Sequence, residues 1–72
     1  MILTTDDLVR IASAGGGFSI DATKRTTDEI VRIVAAASNR GNRMTIKNVN
    51  MKRIDELIMI ASAGNGCVVF DM

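Results

Sequence analysis

Histidine, tryptophan, tyrosine and proline are absent from this 72-residue chain, phenylalanine occurs twice, and a single thiol stands at Cys67. Without imidazole the chain has no side chain whose ordinary pKa lies near neutrality, and Cys/His zinc sites are excluded with it. One cysteine also excludes an intramolecular disulfide framework. No run of 18 apolar residues occurs, so no segment reads as a membrane-spanning helix. The start, Met1-Ile2-Leu3-Thr4-Thr5-Asp6-Asp7, lacks a basic leader ahead of an apolar stretch, so no signal peptide is expected and a cytoplasmic location is the default expectation. The Met1 start and an end two residues beyond Phe70 read as a complete product rather than a piece of a longer array.

What is present reads as one small globular domain over residues 1–72. Apolar residues make up 47% of the chain and charged residues 24%, which is neither disordered nor collagen-like. A chain of this length buries only about 60% of the surface its unfolded form exposes. Its core is therefore small, and support from a partner or a second copy is a natural expectation.

Three segments of the chain align with one another. They are Asp6-Asp7-Leu8-Val9-Arg10-Ile11-Ala12-Ser13-Ala14-Gly15, Asp28-Glu29-Ile30-Val31-Arg32-Ile33-Val34-Ala35-Ala36-Ala37 and Asp55-Glu56-Leu57-Ile58-Met59-Ile60-Ala61-Ser62-Ala63-Gly64, whose leading Asp6, Asp28 and Asp55 stand 22 and 27 residues apart. Periods of this size belong to one helix-and-strand unit each. Leu8, Ile11, Ala12 and Gly15 recur at helical spacing, as do Ile30, Ile33, Val34 and Ala37, and Leu57, Ile60, Ala61 and Gly64, so each helix is expected to turn that stripe to a common core. Thr4 with Asp7 and Thr26 with Glu29 have capping-box spacing, with Leu3 and Leu8 placed as a hydrophobic staple. Arg53 occupies the corresponding position in the third unit, where Asn50 is the expected cap, adding a turn that brings Ile54 onto the stripe.

After each helix comes a short β-prone run: Phe18-Ser19-Ile20-Asp21, Met44-Thr45-Ile46-Lys47 and Cys67-Val68-Val69-Phe70. Strands separated by whole helices pair in parallel through crossovers. The expected fold is α/β: three helix–strand repeats, over about 4–21, 26–47 and 50–71, forming a small parallel three-stranded sheet with helices mainly on one face, a solenoid-like αβαβαβ. The run Arg43-Met44-Thr45-Ile46-Lys47-Asn48-Val49, followed by Leu57 and Ile60, resembles one unit of a leucine-rich repeat. It lacks that family's regular leucine ladder, and no function carries over from it.

Candidate functional residues are few. Gly15-Gly16-Gly17 and Gly64-Asn65-Gly66 invite comparison with phosphate-binding loops, but those lead from a strand into a helix N-terminus, whereas these glycines follow helix C-termini, where unpaired carbonyls repel an anion. They read as helix stops. The carboxylate pairs Asp6/Asp7, Asp28/Glu29 and Asp55/Glu56 recur at one place in each unit, as helix caps do, and Ser13 and Ser62 have no base to activate them. Cys67 reads as a small core residue, aligned with Phe18. Neither a catalytic residue, a metal, a cofactor nor a small-molecule substrate is expected.

Charge is unevenly spread. Residues 24–53 hold eight basic and two acidic side chains, and the rest of the chain is acidic, so the net charge of +1 hides a dipolar sequence. Arg40, Arg43, Lys47, Lys52 and Arg53 are candidate contacts for an anionic partner, nucleic acid included, although no aromatic residue stands among them to stack on bases. The leading expectation is a protein-interaction or self-associating scaffold module, a homodimer by default, that works through its C-terminal part. If Cys67 and Val69 point inward, Val68, Phe70 and Met72 point outward from an edge strand and join Met59, whose counterparts are Arg10 and Arg32, in an apolar contact patch.

Overall fold

A computed structural model describes residues 3–71. The chain runs α1 (Thr5–Ser13), β1 (Ser19–Asp21), α2 (Thr27–Arg40), β2 (Met44–Lys47), a 3-10 turn (Val49–Met51), α3 (Ile54–Gly64) and β3 (Val68–Asp71). The strands form one parallel sheet in the order β1-β2-β3. Helix α2 lies between α1 and α3, touching both. The expected mixed α/β chain with a small parallel sheet is what forms.

Capping starts two helices as the sequence predicts. The Thr4 hydroxyl accepts from the Asp7 amide while the Asp7 carboxylate accepts from the Thr4 amide, and Thr26 and Glu29 repeat the exchange. The start of α3 differs from expectation. Its N-cap is Arg53, whose amide donates to Glu56, and Asn50 lies in the preceding 3-10 turn. The arginine side chain has no acceptor to offer the first turn, so only the Glu56 half of a capping box is made. Ile54 consequently begins the helix instead of lying on its inward stripe and is 68% exposed.

The core gathers where the middle elements are covered on both sides. Ile30, Ile33, Val34 and Ala37 of α2 and Met44 and Ile46 of β2 are fully buried, with Leu8, Ala12, Ile20, Ala22, Val49 and Ile60 completing the cluster. Ser19, Asp21, Thr45 and Lys47 occupy the other sheet face. The outer helices depart from the predicted stripes, since Ile11 is 39% exposed, Ala61 is exposed and Leu57 is only partly buried. A terminal helix has one neighbour, and the flank without one stays wet.

The facing of β3 also departs from expectation. Val68 pairs with Met44 and Phe70 with Ile46, so both share the inward face and pack on the core, while Val69 points out and is 41% exposed. Alignment by the helices sets Cys67 beside Phe18, but the pairing Ser19–Thr45–Val69 shows one extra residue between helix and strand in the third unit. A shift of one residue exchanges the faces of a strand. Helix α3 supplies the extra length, running to Gly64 before Asn65 closes it in a left-handed conformation. A Cβ on Gly64 would collide with the Val68 side chain, so glycine is needed there for close approach, not for a positive φ.

Candidate interaction surface

Counting from each N-cap, the first helical residue is Thr5 in α1, Thr27 in α2 and Ile54 in α3. The two threonines do the same thing. Thr5 donates its hydroxyl to Glu29 (2.7 Å) and accepts from Arg25 (2.8 Å); Thr27 donates to Glu56 (2.6 Å) and accepts from Lys52 (3.1 Å). Arg25 and Lys52 each directly precede an N-cap, and Glu29 and Glu56 are each the third helical residue. A hydroxyl on one helix is thus held between a cation and a carboxylate at the start of the next. Arg25 also reaches the carbonyl of Leu3 (2.9 Å), and Lys52 that of Arg25 (3.3 Å).

These bonds set the local electrostatics. The Thr26 amide, then the Thr5 and Thr26 hydroxyls, hold Glu29 down from an ordinary 4.5 to about 2, and Thr27, followed by the Arg53 amide, lowers Glu56. The Thr23 hydroxyl and amide lower Asp21 at the end of β1. Donors aimed at a carboxylate favour its charged form. All three shifts therefore arise from structural hydrogen bonds, and of the recurring carboxylates Asp7, Glu29 and Glu56 are engaged in helix starts. A groove of about 570 Å³ runs past these starts, lined by Ala22, Lys24, Arg25, Glu29, Lys52 and Glu56 among others. Arg25 and Lys52 share the Thr5 and Thr27 hydroxyls with Glu29 and Glu56, so these four charges offset one another across the hydroxyls.

The ladder stops at both ends. Ile54 has no hydroxyl, and Leu3 and Asp7 stand where Arg25 and Glu29, or Lys52 and Glu56, stand further on. Beside Ile54 lies a continuous apolar flank. Ile58 is 57% exposed, whereas its counterparts Val9 and Val31 are partly buried against the core, and Ala61 is exposed where Ala12 and Val34 are buried. Met59 is exposed on the outer face of α3, and Met51 is exposed in the 3-10 turn before it. At the other end, Leu3, Asp7, Arg10, Ile11 and Ala14 line a shallow groove of about 500 Å³ beside α1. Ile33 and Ile60, the counterparts of Ile11, are fully buried by the helix before them.

The residues singled out from sequence are therefore redistributed. Met59 is exposed as expected on the outer helix face; Val68 and Phe70 turn inward, against expectation, and Met72 lies outside the described residues. The edge position foreseen for the third strand is found, with Val69 as its outward apolar residue. The basic residues do not form one patch. Arg40 and Arg43 sit where α2 ends and β2 begins, Lys47, Lys52 and Arg53 where β2 ends and α3 begins, and Lys52 is bonded into the ladder. Cys67 is partly buried between α3 and β3. Among the described residues no set of three Cys, Asp or Glu is gathered to hold a metal, and no helix is long and apolar enough to cross a membrane.

Comparison with protein-family models, with curated proteins and with solved structures finds no match to this chain. The series Thr5, Thr27, Ile54 and Val9, Val31, Ile58 show the last unit gaining bulk and losing its hydroxyl, a change visible in the sequence, whereas the exposure of Ile54 and Ile58 is visible only in the fold.

Proposed function

We propose that this chain is a small non-enzymatic protein-interaction module, a solenoid-like stack of three helix–strand repeats whose contact surface is the open flank of α3 beside the β3 edge. One observation carries the reading: the large apolar side chains Ile54 and Ile58 lie 68% and 57% exposed at positions that a following helix covers in α1 and α2. An isolated apolar side chain on a surface is ordinary, but an apolar stripe beside an unpaired strand edge marks a surface that binds. A nucleic-acid partner is the less supported reading, since the basic residues are divided between two ends of the layer and part of them is bonded internally.

The test is a photocrosslinking residue placed at Ile58 in cells, with Arg32 on the outer helix face as control. The proposal expects crosslinks to polypeptide at position 58 and few at position 32. Equal yields at the two positions, or none at 58, would refute it.

A further inference from the structure

We infer that the occupant of the α3 flank is the α1 flank of a second copy, so that chains associate head to tail. This rests on the interaction reading above and names its partner. The packing inside one chain is the template. In both internal contacts the first residue of one helix meets the residue before the next N-cap and the third residue of the next helix, and helical spacing sets the fifth and eighth residues on the same flank as the first and the seventh on the same flank as the third. At the open ends the first, fifth and eighth positions of α3 and the residue before the α1 N-cap and the seventh of α1 are apolar, while the third of α1, Asp7, accepts from its own Thr4 amide. Ile54, Ile58 and Ala61 would meet Leu3 and Ile11 of the next copy, which line the groove beside α1 together with Ala14, Asp7 and Arg10. Threonine gives way to Ile54 on one side, and arginine or lysine to Leu3 on the other. The hydroxyl and the cation of the internal contact are thus both replaced by apolar side chains, one change on each face.

Charge supports the same pairing. Within the chain, Arg32 at the sixth position of α2 reaches Asp6 at the second position of α1, at 2.8 Å. Arg10 holds the sixth position in α1 and Asp55 the second in α3. Neither has an ion-pair partner among the described residues. Head-to-tail stacking would bring Arg10 of one copy onto Asp55 of the other in the geometry that Arg32 and Asp6 already show. A two-fold contact of α3 with α3 would bury the apolar stripe but leave Arg10 and the α1 groove unused. The sheet does not add to the contact: continued in register, it would set Asp71 beside Asp21 of the next copy, where the interior alternates Asp21, Lys47 and Asp71. The helix layer carries the association. Such a heterologous contact grows into a ring or a filament instead of stopping at a dimer.

Sedimentation of the purified chain over a wide concentration range tests this, with Ile11→Lys and Ile58→Lys compared after circular dichroism has shown each folded. The expected result is concentration-dependent growth beyond the dimer, lost in both variants. Charge reversal supplies the second arm: Arg10→Glu and Asp55→Arg should each assemble at least several-fold more weakly, and an equimolar mixture of the two should recover assembly, because each junction then joins opposite charges. Assembly abolished by Ile58→Lys but untouched by Ile11→Lys would overturn the head-to-tail contact in favour of an α3-to-α3 dimer, leaving the interaction reading intact. A parent that is monomeric at millimolar concentration overturns self-association, and the crosslink at position 58 then decides the broader reading alone. Assembly indifferent to both lysines would overturn the head-to-tail contact and leave the crosslink at position 58 to decide the broader reading.

Discussion

Ile11 and Ile33 occupy the same helical position on successive helices and differ in one respect, that Ile33 has a helix before it and is fully buried while Ile11, on the first helix, is 39% exposed. Truncation to alanine removes three carbons, each worth about 0.8 kcal/mol when buried, or roughly 2.5 kcal/mol of lost transfer energy for Ile33. The cavity left between α2 and the sheet raises the cost to about 3–4 kcal/mol. Ile11→Ala leaves no closed cavity and should cost about 1–1.5 kcal/mol. A domain of this size has a total stability of about 4–11 kcal/mol, so the first variant loses a large share of it and the second does not. Because the chain has neither tryptophan nor tyrosine, urea unfolding is best followed by far-ultraviolet circular dichroism. With a urea slope of about 1 kcal/mol per molar, the midpoints of the two variants should lie about 2 M apart. Samples must be dilute, since association through Ile11 would add stability at high concentration. Equal costs in dilute solution would refute the reasoning, because they would mean that α1 is covered on its outer flank.

Three further outcomes follow from particular contacts. Gly64→Ala should cost about 1–3 kcal/mol by collision with Val68, and Val68→Ala in the same chain should recover part of that loss, which a double-mutant unfolding cycle would show; additive losses would mean that the two do not touch. Because Glu29 is held near 2 against an ordinary 4.5, its contribution to stability is complete above about pH 4.5 and is lost as pH falls toward 2; Glu29→Gln should flatten acid unfolding in that window, and an unchanged acid profile would contradict the hydrogen bonds from Thr26 and Thr5. Fluorescence anisotropy with a labelled single strand and a labelled duplex at about 50 mM salt, where phosphate contacts are strong, should show no binding by Arg40, Arg43, Lys47, Lys52 and Arg53, and tight salt-dependent binding would restore the nucleic-acid reading.

Much of the architecture was legible because local signals agreed. The Thr4–Asp7 and Thr26–Glu29 boxes start α1 and α2, the stripe Ile30-Ile33-Val34-Ala37 is wholly buried, and strands joined through helices pair in parallel. What misled was the use of one alignment for both helices and strands. A single added residue before β3 leaves the helical pattern intact yet reverses the strand, which turned Val68 and Phe70 from contact residues into core. Asn50 failed as a cap for a local reason: Asn48 adopts a left-handed conformation, the chain enters a 3-10 turn, and the helix starts only after Arg53. The contact surface was harder to see, because helical periodicity reports which face of a helix meets the sheet and says nothing about which flank lacks a neighbour. Exposure of Ile54, Ile58 and Ile11 depends on each helix's place in the layer, which only the assembled fold shows.

The central claim is that α3 and α1 offer their open flanks to another copy of the chain, and the isoleucine methyl groups report it most directly. Nuclear magnetic resonance of methyl-labelled protein, followed through serial dilution, should show the Ile11, Ile54 and Ile58 signals shifting together while those of the buried Ile33 and Ile46 stay fixed. Signals that hold constant at Ile11, Ile54 and Ile58 across the whole dilution series, or shifts confined to other residues, would contradict it.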